Sequence, residues 1–213
     1  MKRITISLCT ALLLAACSND QTTTEAKIAS ATETKGDEAW VPVDSAAAEK
    51  AWMEYMTPGP SHQMLAGMDG QWSGEMKMWM SPDAEPMVNQ ASATFKMIMG
   101  GRYQEGQMKG DFLGQPFEGL STTAYDNAKK VYINTWIDNM GTGIMTMEGK
   151  WDAATNTISY MGRMVNPGNG KECDVRELYK IVDENTHHME MYGPDPKTGK
   201  EYKNMEITFT RKK

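Results

Sequence analysis

The stretch from Phe117 to Trp151 alternates with a period of two, and no other feature constrains the fold as strongly. Phe117 to Tyr125 leads into Asp126-Asn127-Ala128-Lys129. Lys130 to Asp138 follows, then Asn139-Met-Gly-Thr-Gly143, then Ile144 to Trp151. In the middle run Val131, Ile133, Thr135 and Ile137 share one face, and Tyr132, Asn134, Trp136 and Asp138 share the other. β-Branched and aromatic residues so arranged predict strands, and the Asp/Asn/Gly clusters between them predict tight turns.

The same device repeats from Gly70 to Arg211. Trp72–Met80, Ala91–Met99, Arg102–Lys109, Ile158–Val165, Val175–Val182, His187–Tyr192 and Tyr202–Arg211 read as further strands. Turns are predicted at Ser81-Pro82-Asp83, Gly100-Gly101, Gly110-Asp111, Asn166 to Gly170 and Gly193 to Gly199. No connection is long enough to hold a crossover helix, so the sheet is antiparallel. A meander of this length would leave two unpaired edges, and closure removes them. The predicted fold is all-β: one antiparallel up-and-down β-barrel of about ten strands over residues 70–213, preceded by one or two short helices.

Residues 1–16 predict a signal peptide. Lys2 and Arg3 precede an uncharged run from Ile4 to Leu14, too short to span a bilayer, which takes ~20 apolar residues. Leu14-Ala15-Ala16-Cys17 resembles the lipobox of bacterial lipoproteins. The resemblance implies cleavage before Cys17 and several acyl chains at that residue, which together anchor a protein durably. Ser18 rather than Asp follows the cysteine, which in such lipoproteins implies the outer membrane, facing the periplasm. Residues 17–43, rich in Ser, Thr, Ala, Glu and Lys, read as a flexible tether. Within 44–69, Asp44 or Ser45 caps a helix to about Met56 with Ala48, Ala51, Trp52 and Tyr55 on one face. A second short helix runs from Ser61 to about Gly67. The two helices are expected to form a lid or plug beside the sheet.

Charge and cysteine usage exclude several classes. The net charge is −6, and removal of Lys2 and Arg3 makes it −8, which argues against nucleic acid and against electrostatic docking on anionic lipid. Cleavage removes Cys9, leaving lipidated Cys17 and an unpartnered Cys173, so no disulfide framework exists. Cys173 reads as a small half-buried side chain.

Gly70-Gln-Trp72, on the first strand after a short helix, resembles the Gly-x-Trp opening of lipocalin and fatty-acid-binding-type barrels. That resemblance implies a Trp plugging one end beneath a basic residue of the last strand, for which Arg211 is the candidate. A fuller set resembles a bacterial family of unknown function, numbered fifteen seventy-nine. It comprises Pro60-Ser-His62, Leu65, Gly70-Gln-Trp72, Gly100-Gly101-Arg102-Tyr103, Gly114 with Phe117 and Gly119, Tyr125-Asp126, Tyr132, Trp136-Ile-Asp138 and Gly143. This resemblance covers about residues 60–211. It supports the fold and implies no activity.

Chemistry is sparse. The chain holds 20 methionines, many in Met-x-Met pairs: Met76/Met78/Met80, Met97/Met99, Met145/Met147 and Met189/Met191. Such pairs share a strand face, expected to be the inner one. They serve as core filler, as an adaptable lining for a hydrophobic ligand, or as thioether ligands for Cu(I). His187 and His188 are adjacent and point to opposite faces; a single histidine, including His62, is also a haem-ligand type. Neither a zinc cluster, a Gly-x-Ser-x-Gly elbow nor a phosphate-binding Gly-rich loop is present. Asp126 and Asp138 read as turn residues. The polar groups Arg102, Tyr125, Tyr132, Trp136, Arg163 and Arg176 are candidates for the interior, where an Arg would take a ligand carboxylate. Otherwise the arginines lie outside, paired across strands.

The sequence therefore predicts an envelope lipoprotein, held at the membrane by Cys17, that binds a small apolar or amphipathic molecule without catalysis. The predicted ligand-binding residues are Trp72, Met76, Met78, Met97, Arg102, Tyr125, Trp136 and Arg176, with no cofactor, metal or nucleic acid. The alternative is a filled barrel with a partner-binding outer face, which exposed aromatics around Tyr132 and Trp136 would favour. An enzyme ranks third and would need polar groups converging in a pocket.

Overall fold

The structure, a computed structural model, describes residues 39–213. The predicted signal segment, the predicted lipidation site at Cys17 and most of the predicted tether lie outside the described residues.

Ten strands form the barrel: β1 (Gly70–Met78), β2 (Met87–Ile98), β3 (Tyr103–Phe112), β4 (Gln115–Asp126), β5 (Val131–Asp138), β6 (Met145–Asp152), β7 (Thr157–Asn166), β8 (Lys171–Asp183), β9 (Thr186–Pro194) and β10 (Glu201–Arg211). Each pairs antiparallel with its sequence neighbours, and β1 closes on β10, with Trp72 opposite Arg211 and Met78 opposite Met205. All ten fall on predicted runs. Two details differ. The β3–β4 turn sits at Leu113-Gly114, both in the left-handed region (φ 52° and 77°), and Gly110-Asp111 remain paired in the ladder. β2 and β8 begin four residues earlier than predicted, at Met87 and Lys171, in polar stretches that obscure the alternation.

The inner face alternates large rings with glycines. Tyr160 lies against Gly149 and Trp136 against Gly119, so closely that a Cβ on either glycine would collide with the ring. Facing strands thus interdigitate as small barrels require. Two apolar clusters fill the lumen: one around Leu65, Tyr132, Met147 and Ile158, the other around Trp72, Met76, Ile207 and Phe209. The methionine expectation holds only within strands. Met80 follows the end of β1 and is 60% exposed, and Met99 sits in the β2–β3 turn, 70% exposed. Turn backbone does not preserve the two-residue parity that would bring them inside.

The helices behave differently from each other. α1 (Ser45–Met56) is capped by Asp44, whose Oδ1 accepts from the N–H groups of Ala46 and Ala47 at 3.0 and 3.1 Å. It buries no residue, so the expected apolar face is not used: Trp52 and Tyr55 pack edge-to-face on each other, 5.7 Å apart. Asn127, in the β4–β5 turn, holds its C-terminal end by donating to the carbonyls of Glu54, Tyr55 and Thr57. α1 is therefore not a lid.

α2 (Pro60–Ala66) is the plug. Pro60 opens it, the His62 Nδ1 accepts from the Gly59 N–H at 3.0 Å, and His62 and Leu65 are buried. A helix end leaves carbonyls without partners, and barrel side chains satisfy these. Gln104 donates to the Leu65 carbonyl at 2.6 Å, and the Trp72 indole to that of Met68 at 2.9 Å. Arg211 donates to the carbonyls of Gly67, Asp69 and Glu184 and lies 4.2 Å over the Trp72 ring. The arrangement is the one that the Gly-x-Trp resemblance implies.

Arg211→Ala removes three charge-assisted hydrogen bonds and a cation–π contact at the seam. The expected loss of stability is roughly 2–4 kcal/mol in urea unfolding, with α2 becoming the first segment cut in limited proteolysis.

Candidate functional site

Between the plug and the opposite mouth the lumen holds a cavity of about 80 Å³. Its apolar wall comes from Phe95, Met108, Ile158, Met189 and Phe209, with Leu65 and Met68 on the plug side and Trp136 toward the mouth. Gln104, Ser121, Thr123, Asn134, Glu177 and Tyr160 bring polar atoms to the same space. Near the mouth the Trp136 indole donates to Asp138 at 2.7 Å, and its ring stacks on Phe117 at 6.3 Å.

Most of these polar groups have partners. Asn134 donates to the Thr123 hydroxyl at 2.9 Å, and Gln104 binds Leu65 and Asp69. Tyr179 shares a hydrogen bond of 2.9 Å with His187 Nδ1. Glu177 is the ionisable acid among those without a partner. Its side chain points inward from the middle of β8, opposite Tyr160 on β7 and Met191 on β9. It is 8% exposed and has no hydrogen bond or counter-charge among the described residues. Burial alone pushes its carboxyl up to about 7. A buried carboxyl without a cation stays neutral by keeping its proton, so near neutral pH Glu177 is poised between its two forms. Burial, with the Glu177 charge nearby, also pushes the Tyr160 phenol well up, and burial does the same at Tyr179.

Of the eight predicted ligand-binding residues, only Trp136 lines the cavity. Trp72, Met76 and Met78 belong to the cluster beneath Arg211, and Met97 packs against the plug-side cluster. Tyr125 lies edge-on to His62 and against Tyr132 at the plugged end. The two arginines are outside. Arg102 donates to the carbonyls of Met99 and Gly100 in its own turn. Arg176 pairs with Glu201 at 2.8 Å and lies 3.8 Å over the Tyr192 ring. Arg163, likewise, pairs with Glu172 and Asp174 on the surface. Arg163 and Arg176 have outward parity, where an arginine finds a cross-strand acid more cheaply than a dry interior, and Arg102 lies in the β2–β3 turn, outside the alternation. Tyr132, 2% exposed, and Trp136 face inward, so the outer face lacks the aromatics that would mark a partner surface there.

Glu177 was legible only as a parity violation. Val175, Glu177, Tyr179 and Ile181 share a face, and the one carboxylate interrupts an apolar series.

The histidines are occupied structurally. His187 stacks on Trp72 at 4.3 Å, and burial, with Arg211 nearby, pulls it down to about 4. His188 faces outward with Glu190 and Glu206, where Lys203 pairs with both acids and Lys77 with Glu206. No histidine lines the cavity among the described residues. Cys173 is half-buried and free, as its spacing predicts.

The family described as "Protein of unknown function (DUF1579)" matches residues 57–211, which take in α2 and all ten strands. No curated protein matches the chain. Among solved structures it is similar to Rv2717c from M. tuberculosis, at 12% identity and a TM-score of 0.56, over 74% of this chain and 100% of that one. It is also similar to the S-type phycobiliprotein lyase CPES from Guillardia theta, at 6% identity and a TM-score of 0.52, over 76% of this chain and 97% of that one. At these identities the likeness is one of fold.

Glu177 and His187 give opposite pH signatures. Glu177, raised from 4.5 to about 7, holds its proton in the fold where the unfolded chain has lost it, so its contribution falls as pH rises through that window. His187, lowered from 6.5 to about 4, is neutral in the fold where the unfolded chain is charged, so its contribution rises with pH between those values. The two oppose each other in the native protein. Glu177→Gln removes one of them. Its stability relative to the native chain should increase by roughly 3 kcal/mol from pH 4.5 to 8, read from urea midpoints.

Proposed function

The chain belongs to the DUF1579 family, and we propose that it is a lipid-anchored envelope protein whose barrel binds a small amphipathic molecule without transforming it. The carrying observation is the cavity itself: a partly open, mainly apolar space into which Glu177 and Tyr160 present polar groups lacking hydrogen-bond partners among the described residues. Ligand sites combine an apolar wall with a few convergent polar groups in this way. Met68, Met108 and Met189 supply a wall that re-packs around different shapes. Binding is favoured over catalysis because Glu177 is the one cavity group poised to ionise near neutrality; the tyrosines beside it are held protonated.

The lipid anchor and outer-membrane location rest on Lys2, Arg3 and the Leu14-to-Cys17 lipobox resemblance. The barrel supports a peripheral rather than a spanning role by its polarity. Outward positions on β1 and β3 carry Glu75, Lys77, Gln107 and Lys109, whereas a barrel facing lipid is apolar outside.

A second reading has its own observation. The cavity of about 80 Å³ is small beside the ~300–1,000 Å³ of pockets that enclose larger ligands. Leu120 and Ile137, 47% and 43% exposed, lie side by side on the outer face across β4 and β5. A filled barrel with a partner on that face would use both features.

Native mass spectrometry of the protein purified from its own host separates the two. The expected result is a non-covalent adduct of a few hundred daltons lost at raised collision energy. A bare mass that persists after exposure to a lipid extract of the host would move the assignment to the filled barrel.

A further inference from the structure

We propose that Glu177 is the anchoring group of the cavity and selects an amphiphile bearing a small protonated amine, with the ammonium against Glu177 and Tyr160 and the apolar tail among Met108, Met189 and Trp136. This rests on the ligand-binding reading above and specifies its chemistry.

The argument starts from what the lumen lacks. A carboxylate presents about four acceptor sites, and leaving them unpaired inside a protein is costly. Glu177 is more than nine-tenths buried, yet among the described residues no lysine or arginine lines the cavity with it. Arg163 and Arg176 are committed to outer acids, Lys77 and Lys203 to Glu206, and Arg211 to three carbonyls at the plugged end, and Lys171 and Lys180 of β8 are exposed to solvent. A fatty-acid-type carboxylate would find no counter-charge here and would face Glu177 itself. A ligand ammonium supplies the missing positive charge and up to three donors. The Tyr160 hydroxyl, on the neighbouring strand, is a second acceptor, and Tyr160, Tyr179 and Trp136 line the same space with aromatic rings, the residue type that favours a cation. A volume of about 80 Å³ suits an ammonium and its first carbons, and re-packing methionines accommodate more.

Binding is coupled to a proton. The O–H bond of protonated Glu177 breaks, the proton leaves to solvent, and the carboxylate pairs with the ammonium; no other bond changes. The titratable groups facing Glu177 are Tyr160 from β7 and Tyr179 from its own strand, both held protonated, and β9 presents only Met189 and Met191. His187, beyond Tyr179, is pulled down to about 4 and stays neutral between pH 5.5 and 8. Glu177 titrates inside that window.

The test uses the full-length chain, labelled with 13C at the methionine methyls, and three matched four-carbon probes: n-butylammonium, n-butanol and butyrate. The expected result is that n-butylammonium shifts the Met108 and Met189 methyl signals and binds at least tenfold tighter than n-butanol, with butyrate weakest. In Glu177→Gln the ammonium falls to the level of the alcohol, and Tyr160→Phe loses a smaller part of the preference. In the native chain the ammonium affinity weakens about tenfold per pH unit below pH 7, while that for the alcohol stays level, a readout that does not depend on either variant folding. Equal binding of the ammonium and the alcohol, unchanged in Glu177→Gln, would overturn the amine assignment and leave the ligand-binding reading standing. If no probe moves a cavity methyl and the host-purified protein is bare, both fail together.

Discussion

A ten-stranded antiparallel meander has two free edges, and the ladder between its first and last strands removes both. Everything else in this molecule follows from that closure. It sets the diameter of the lumen, fixes which residue of each alternating pair is enclosed, and brings Trp72 and Arg211 opposite each other at one end. There the guanidinium does two things at once. It covers the indole, and it collects carbonyls from the plug and from the β9 side of the seam. Backbone groups that a short buried helix would otherwise leave unpaired are thereby satisfied by the closing strand itself.

The enclosed space is then divided by small residues. Gly119 and Gly149 let the rings of Trp136 and Tyr160 lie flat against neighbouring strands, and the cavity is what remains between those rings and the plug. An all-apolar interior would be the simplest way to stabilise such a barrel. Glu177 departs from it, in the middle of a strand and without a partner among the described residues, at a real cost in burial. Sites where a sequence breaks its own local rule are where function is expected to lie. The imidazole of His187 shows the contrast: it is also buried and shifted, but its ring stacks on Trp72 and its Nδ1 meets Tyr179, so its environment is complete.

The strands were readable because period two survives wherever one face is apolar and the other wet. It failed at the mouth, around Met87 and Lys171, where the inner face is at most half-buried and is not selected for hydrophobicity. The inward face of β5 was ambiguous for the opposite reason. Val131, Ile133 and Ile137 are as apolar as Tyr132 and Trp136, and what decides between them is the glycines across the ladder, visible only once register is known. The site was less legible than the fold. Arg102 and Arg176 were chosen for their chemistry, but an arginine's fate depends on which acid stands opposite, and register is a property of the closed sheet. Glu177 lay among 28 acidic residues, distinguished only by the company of Val175, Tyr179 and Ile181 on its face. Tyr160 meets it across the β7–β8 ladder, and Asn134, three strands away on β5, converges with it through the curvature of the closed sheet.

The two ends of the barrel are not equivalent. α2 fills one end, and the turn that grips the end of α1 through Asn127 lies at that same end, so the N-terminal part of the chain joins the barrel on its sealed side. The opposite rim carries Phe117 and Trp136. The molecule thus has a handle and a mouth at opposite poles. A pull along α1 is delivered to the Asn127 clasp, at the pole opposite the rim of Phe117 and Trp136.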